Sequence, residues 1–156
     1  RIGMHGFKIG ICWQGAASIA NRSFPLSLLA PISQMENVRL ISLQQGAGTE
    51  QLAADMCVET LGEDFDSGGD SFVDRAAVME SLDLVITLDT SLAHLAGALG
   101  RLIWVALNYV PDCRCFLVSH GRHWTPQLRM FRQTAPGAWA SVFAALKAQL
   151  SAVPTS

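Results

Sequence analysis

Hydrophobic positions along the chain follow two periods. Short segments at 8–13, 38–43, 83–88, 102–107 and 128–132 read as strands, and several are near-continuous apolar runs, the mark of a sheet covered on both faces. Segments at 25–35, 49–57, 71–82, 90–99 and 138–150 read as helices. Leu92, Leu95, Ala96 and Leu99 form one apolar stripe, and Trp139, Val142, Phe143, Leu146 and Leu150 form another. Ser23 can cap the helix that begins at Pro25, and Gly100 supplies a left-handed stop after 90–99. Strands separated by helices predict an α/β fold, a mostly parallel sheet of about five or six strands with helices on both faces. Residues 108–127 show no periodicity and predict a long loop.

At 156 residues the chain is expected to form a single domain, 1–156, with a full core. Half of its residues are hydrophobic and only 15% are charged, which excludes a disordered chain. A net charge of −2 offers no footprint for nucleic acid. No apolar stretch approaches the roughly 20 residues of a membrane span. The start lacks a signal-peptide pattern and an initiator Met, so the chain reads as a piece of a longer protein. Four cysteines are too few for a disulfide scaffold of this size, which points to reduced thiols and the cytoplasm.

The run from Leu84 to Gly100 carries the most chemistry. A buried strand ends at Asp89-Thr90-Ser91 and a helix starts at once. Such a junction aims unpaired N–H groups and the positive end of the helix dipole at one spot, where phosphates bind. The contacts are expected from the backbone of Thr90, Ser91 and Leu92. Asp89 would repel phosphate, so it is expected to fix the turn or reach sugar hydroxyls. The competing reading is simple capping, for which the same residue types serve. His94 lies off the apolar stripe, near the face of Ser91. It is either a solvated helical histidine or an imidazolium that stabilises a departing diphosphate. The glycines form neither a phosphate-loop lysine motif nor a full dinucleotide fingerprint, which argues against a triphosphatase or a nicotinamide enzyme. No cofactor is expected. Cys113, Cys115, His120 and His123 fall within eleven residues, but the spacing is tighter than zinc sites use, so no metal is expected either.

Asp89-Thr90-Ser91-Leu92-Ala93-His94-Leu95-Ala96-Gly97-Ala98-Leu99-Gly100 resembles the donor-site segment of the heptosyltransferase-like glycosyltransferases, including bacterial forms fused behind tetratricopeptide repeats. The resemblance extends to Lys8-Ile9-Gly10-Ile11-Cys12-Trp13 with Gly15, Asn21-Arg22-Ser23-Phe24-Pro25-Leu26, Ile41-Ser42-Leu43-Gln44-Gln45-Gly46 and Leu128-Arg129-Met130-Phe131-Arg132-Gln133, in order. It implies a Rossmann-like domain, the C-terminal half of a two-domain GT-B enzyme. It further implies that the helix start holds the diphosphate of a nucleotide-sugar, with Arg22 in the place of a basic residue that contacts it. A surface arginine is the plainer reading of Arg22. Glu50 takes the place of a carboxylate on the ribose hydroxyls, although a carboxylate at a helix start is favoured in any case. Gln44 and Gln45, at a strand end beside it, could read the base edge. The loop Pro111-Asp112-Cys113-Arg114-Cys115-Phe116 departs from the family, which has tryptophans where the two cysteines stand.

The implied function is donor binding in an inverting, metal-independent glycosyltransferase, whose acceptor site and general base lie in an N-terminal domain. The isolated domain is expected to be inactive. Two alternatives stay open: a degenerate domain that binds a nucleotide or a protein without catalysis, and a GT-B-type nucleotide-sugar epimerase.

Overall fold

The computed structural model describes residues 5–15, 23–52, 56–62, 65, 71–88, 90–109 and 128–153. Its strands are β1 (Phe7–Ile11), β2 (Val38–Ser42), β3 (Val58–Glu59), β4 (Leu84–Leu88), β5 (Ile103–Leu107) and β6 (Leu128–Arg132). Its helices are α1 (Ala30–Ser33), α2 (Ser71–Glu80), α3 (Ser91–Ala98) and α4 (Trp139–Ala152). The strands form one sheet in the order β3-β2-β1-β4-β5-β6, and every pair is parallel. This is the parallel α/β sheet expected from the alternation of periods, in the Rossmann-like form that the resemblance implies.

The two faces explain the continuous apolar strands. Ile9, Ile11, Leu40, Leu84, Ile86, Leu88 and Trp104 point to one side and pack against Leu26, Leu29 and α4. Ile41, Leu43, Val85, Ile103, Val105 and Leu107 point to the other, against Met79 of α2 and Leu92, Ala93 and Ala96 of α3. Every residue of β4 and β5 is therefore buried, and alternation of polar and apolar residues would leave a polar group in one layer. β6 is one of the two edges, more exposed, with Arg129 and Arg132 along it; charges there discourage pairing with another chain.

Two helices expected from the sequence are cut short. In place of 25–35 the chain makes a 3-10 turn, Leu26–Leu29, and then α1. Ser23 does not cap it: the residue at that cap is Pro25, and the Ser23 hydroxyl accepts the Gly15 N–H at 3.1 Å instead. Of the expected helix 49–57, the described residues make one 3-10 turn, Thr49–Gln51, which Leu52 leaves in extended conformation, and 56–57 are not helical. β3 follows, missed because two residues carry no period; a bidentate Arg39–Glu59 pair, with both contacts 2.6 Å, ties it to β2. Gly100 does adopt the left-handed conformation, at φ +66°.

Gly10 sits in β1 under the α2 layer. A Cβ there would stand 2.5 Å from Leu82 Cδ1 and 2.8 Å from Leu43 Cδ1. Gly10→Ala is expected to cost about 1–3 kcal/mol through overpacking, read as a lower urea midpoint at unchanged slope. An unchanged midpoint would mean that both leucines have room to move.

Candidate functional site

The order of the strands reverses between β1 and β4. β2 and β3 build outward on one side of β1, β5 and β6 on the far side of β4. Chain segments leaving the carboxyl ends of two such strands diverge to opposite faces and open a crevice, where ligands of this fold class lie. Here the crevice is a cleft of about 320 Å³, lined by Cys12, Gln14 and Gly15 after β1, by Gln44, Gln45 and Ala47 after β2, and by Thr90, Ser91 and Leu92 at the start of α3. Gln44 and Gln45 also line a second cavity of about 460 Å³, with Thr49, Leu52, Leu61 and Phe65 on its walls.

Among the described residues, the start of α3 shows no side-chain cap. Thr90, the extended residue before the helix, makes no capping bond. Its hydroxyl lies 3.3 Å from that of Thr87, which is fully buried on β4. The capping reading of this triplet is therefore not what Thr90 does, and the first turn meets the cleft with its backbone. Leu92 anchors the turn in the core, at 3% exposure, while Ser91 is exposed. His94 is exposed further along α3, and the described lining of the cleft does not include it.

Arg22 and Asp89 lie outside the described residues, as do Cys113, Cys115, His120 and His123. The residues that flank the segment 16–22 are nevertheless placed: Gly15 donates to Ser23 at the rim of the cleft, and Phe24 N–H to the Trp13 carbonyl.

Gln44 is used differently from the base-reading role expected of it. Its Oε1 accepts the backbone N–H groups of Trp13 (3.2 Å) and Gln14 (3.0 Å), and the Cys12 thiol (3.2 Å). Its Nε2 donates to the carbonyls of Gln14 (3.1 Å) and Ala47 (2.8 Å). Donors face one end of the amide and acceptors the other, so a flipped amide would set like against like. Gln44 thus braces the loops after β1 and β2. Gly48 completes the brace: it sits at φ +98°, its carbonyl accepts the Trp13 indole N–H at 3.1 Å, and a Cβ would lie 2.9 Å from Gln14 Oε1. Glu50, expected at a ribose, is exposed, and its Oε2 accepts the Gly48 N–H at 2.8 Å. That bond supports the loop and is the local role that its position at a helix start favours.

Two lining residues had escaped the sequence reading. Cys12, 5% exposed, is pushed up to about 11 by burial, an effect that the Gln14 carbonyl, the Thr87 hydroxyl and the Arg75 charge only partly offset. Arg75, half-buried on α2, lines the cleft, and its Nη2 donates to Gln45 Oε1 at 3.4 Å. Nothing in an amphipathic helix distinguishes such an arginine from one in solvent.

No known family model matches the chain. It is 29% identical over 145 residues to Protein FlbA of Caulobacter vibrioides, a match covering 79% of this chain and 24% of FlbA. Among solved structures it is similar to E. coli heptosyltransferase WaaC with ADP-2-deoxy-2-fluoro heptose, at TM-score 0.63 and 19% identity over 95% of this chain and 44% of that one. It is likewise similar to E. coli ADP-heptose LPS heptosyltransferase II, at TM-score 0.61 and 17% identity over 94% and 48%. At these identities the likeness establishes the fold, that of one part of a GT-B glycosyltransferase. The chain spans less than half the length of each of these relatives. Among the described residues no helix is long and apolar enough to cross a membrane.

Two outcomes follow from this geometry. Gln44→Leu leaves the Trp13 and Gln14 N–H groups without their acceptor and is expected to cost about 2–4 kcal/mol in denaturant unfolding; a loss under half that would mean water replaces the carboxamide. Cys12 sets a pH dependence. Between the ordinary thiol value of 9.0 and about 11, the unfolded chain has lost this proton while the folded chain keeps it. The folded state then binds more protons, so stability is complete below pH 9 and falls as pH rises through that window. Urea unfolding from pH 8 to 11 should show a shallower decline for Cys12→Ser than for the parent, since every other ionisation is common to both. Parallel declines would acquit Cys12.

Proposed function

We propose that this chain is the donor-binding half of an inverting, metal-independent glycosyltransferase that uses a nucleotide-diphosphate-sugar. The observation that carries this reading is the cleft at the chain reversal, where the uncapped first turn of α3 meets the carboxyl ends of β1 and β4. It is supported by the fold, since similar structures are heptosyltransferases solved with ADP and with ADP-2-deoxy-2-fluoro heptose. In this reading the backbone N–H groups of Thr90, Ser91 and Leu92 hold the diphosphate, where the helix dipole favours its charge. Arg22 adds a bidentate contact, and Asp89 fixes the turn or meets sugar hydroxyls. The larger cavity takes the nucleoside, with Phe65 and Leu61 offering apolar surface, and the family resemblance assigns the ribose to Glu50, next in sequence to Thr49 on the cavity wall. His94 reaches the leaving group only when a second domain closes over this edge. Stabilising the departing diphosphate is then the chemical contribution of this half. The general base and the acceptor pocket belong to the other half, and the protein works in the cytoplasm.

Half of a two-domain site binds weakly and catalyses nothing, because it cannot exclude water or present an acceptor. The chain alone is therefore expected to gain thermal stability with nucleoside diphosphates and to transfer no sugar. A ligand at 100 times its dissociation constant adds roughly 2.7 kcal/mol, enough to read by thermal shift. Arg22→Ala is expected to weaken calorimetric binding by about 1–3 kcal/mol. No shift with any nucleoside diphosphate sinks the reading, and sugar turnover by this chain alone refutes its half-site form.

A further inference from the structure

We propose that Arg75 is a second cation for the donor, binding the phosphate that joins the nucleoside to the sugar end. The inference deepens the donor-site reading above and rests on it. Three features place Arg75 in this role. It projects from α2, which packs on α3, into the cleft that the first turn of α3 lines. Its Nη2 reaches Gln45 Oε1, and Gln45 lines both cavities, so the guanidinium stands beside a residue that the two cavities share. A ligand with its nucleoside in the first and its phosphates at α3 would bring its phosphates close to it.

The chemistry suits that passage. At 3.4 Å the bond to Gln45 is long, and its acceptor is neutral. A phosphate oxygen makes a shorter, charge-assisted bond, and the planar fork of a guanidinium can serve two acceptors at once. Opposite it lie backbone N–H groups of α3, which carry only the partial charge of the dipole. A full cation facing them divides the ligand's charge between two walls. The field of Arg75 already reaches the cleft floor, since it is one of the influences that favour ionisation of the Cys12 thiol against the opposing effect of burial. The bland alternative is that Arg75 only steadies Gln45. That role would affect the nucleoside and the nucleoside diphosphate alike, and a phosphate contact affects the diphosphate alone.

The test uses this chain with ADP and adenosine as probes, by chemical-shift titration, which reaches millimolar affinities. Arg75→Gln is expected to weaken ADP binding about tenfold to a hundredfold and leave adenosine within about twofold. Arg75→Lys keeps the charge and the stem but not the fork; it is expected to cost about threefold to tenfold for ADP only, and it decides the question if the glutamine variant does not fold. Equal losses for both probes overturn the proposal in favour of a brace, and an unchanged ADP affinity overturns it outright. A parent chain that binds neither probe overturns instead the donor-site reading on which it stands.

Discussion

A parallel sheet covered on both faces can meet a ligand only at its edges, and at the carboxyl edge each strand runs out of ladder partners at the point where the chain must turn. In this protein the carboxamide of Gln44 takes up that strain for β1 and β2. It receives the N–H groups of Trp13 and Gln14 and returns N–H groups to the carbonyls of Gln14 and Ala47. Buried backbone polar groups left unmade would cost about 1–3 kcal/mol each. One side chain therefore does what a continued ladder would otherwise do, while letting the two strands part. Gln133 repeats the device on the other flank: 4% exposed, it accepts the Tyr109 N–H through Oε1 and donates its own backbone N–H to Leu107.

The brace determines what the cleft can be. Because Gln44 holds the loop after β1 against the loop after β2, the gap opens on the α3 side, where β4 ends. There Thr90 turns its hydroxyl down to Thr87 rather than up to the helix amides. The hydroxyls of Thr87 and Thr90 thus satisfy one another on the floor, and in the proposed donor site the first-turn N–H groups of α3 would serve the ligand. Pre-formed donors of this kind need no reorganisation when an anion arrives, which is the property that makes fixed dipoles effective.

What was legible in the sequence follows from what is periodic. β4 and β5 announced themselves because burial on both faces leaves room for few polar residues, Thr87 alone among the ten, and α3 because its stripe begins a few residues after β4 ends. β3 was invisible because two residues have no period. The helix expected at 49–57 failed for a local reason: Gly46 and Gly48 both take left-handed conformations, Gly48 where a Cβ would crowd Gln14 and Trp13, and Leu52 then leaves extended. Site residues were harder still. A glutamine at a strand end can serve a base or a backbone equally well, and only the facing donors show which. Arg75 sat on a helix whose polar side gave no reason to prefer one arginine over a solvated one. Residue type reports what a group can bond, and tertiary placement decides to what.

The placement also resolves a tension in the charge. A chain with a net charge of −2 repels an anionic ligand at long range. Yet exposed charges are screened beyond about 8 Å at physiological ionic strength, so the distant carboxylates count for little at the cleft. In the proposed donor site, an arriving phosphate would meet the dipole of α3 and Arg75 on the wall formed by α2. Bulk charge and site charge can therefore differ in sign without conflict. In the proposed site, one short helix and one cation would suffice to favour a small phosphorylated molecule. Selectivity for size would then follow from the two cavities that Gln44 and Gln45 line, and selectivity for charge from a region no wider than the screening length.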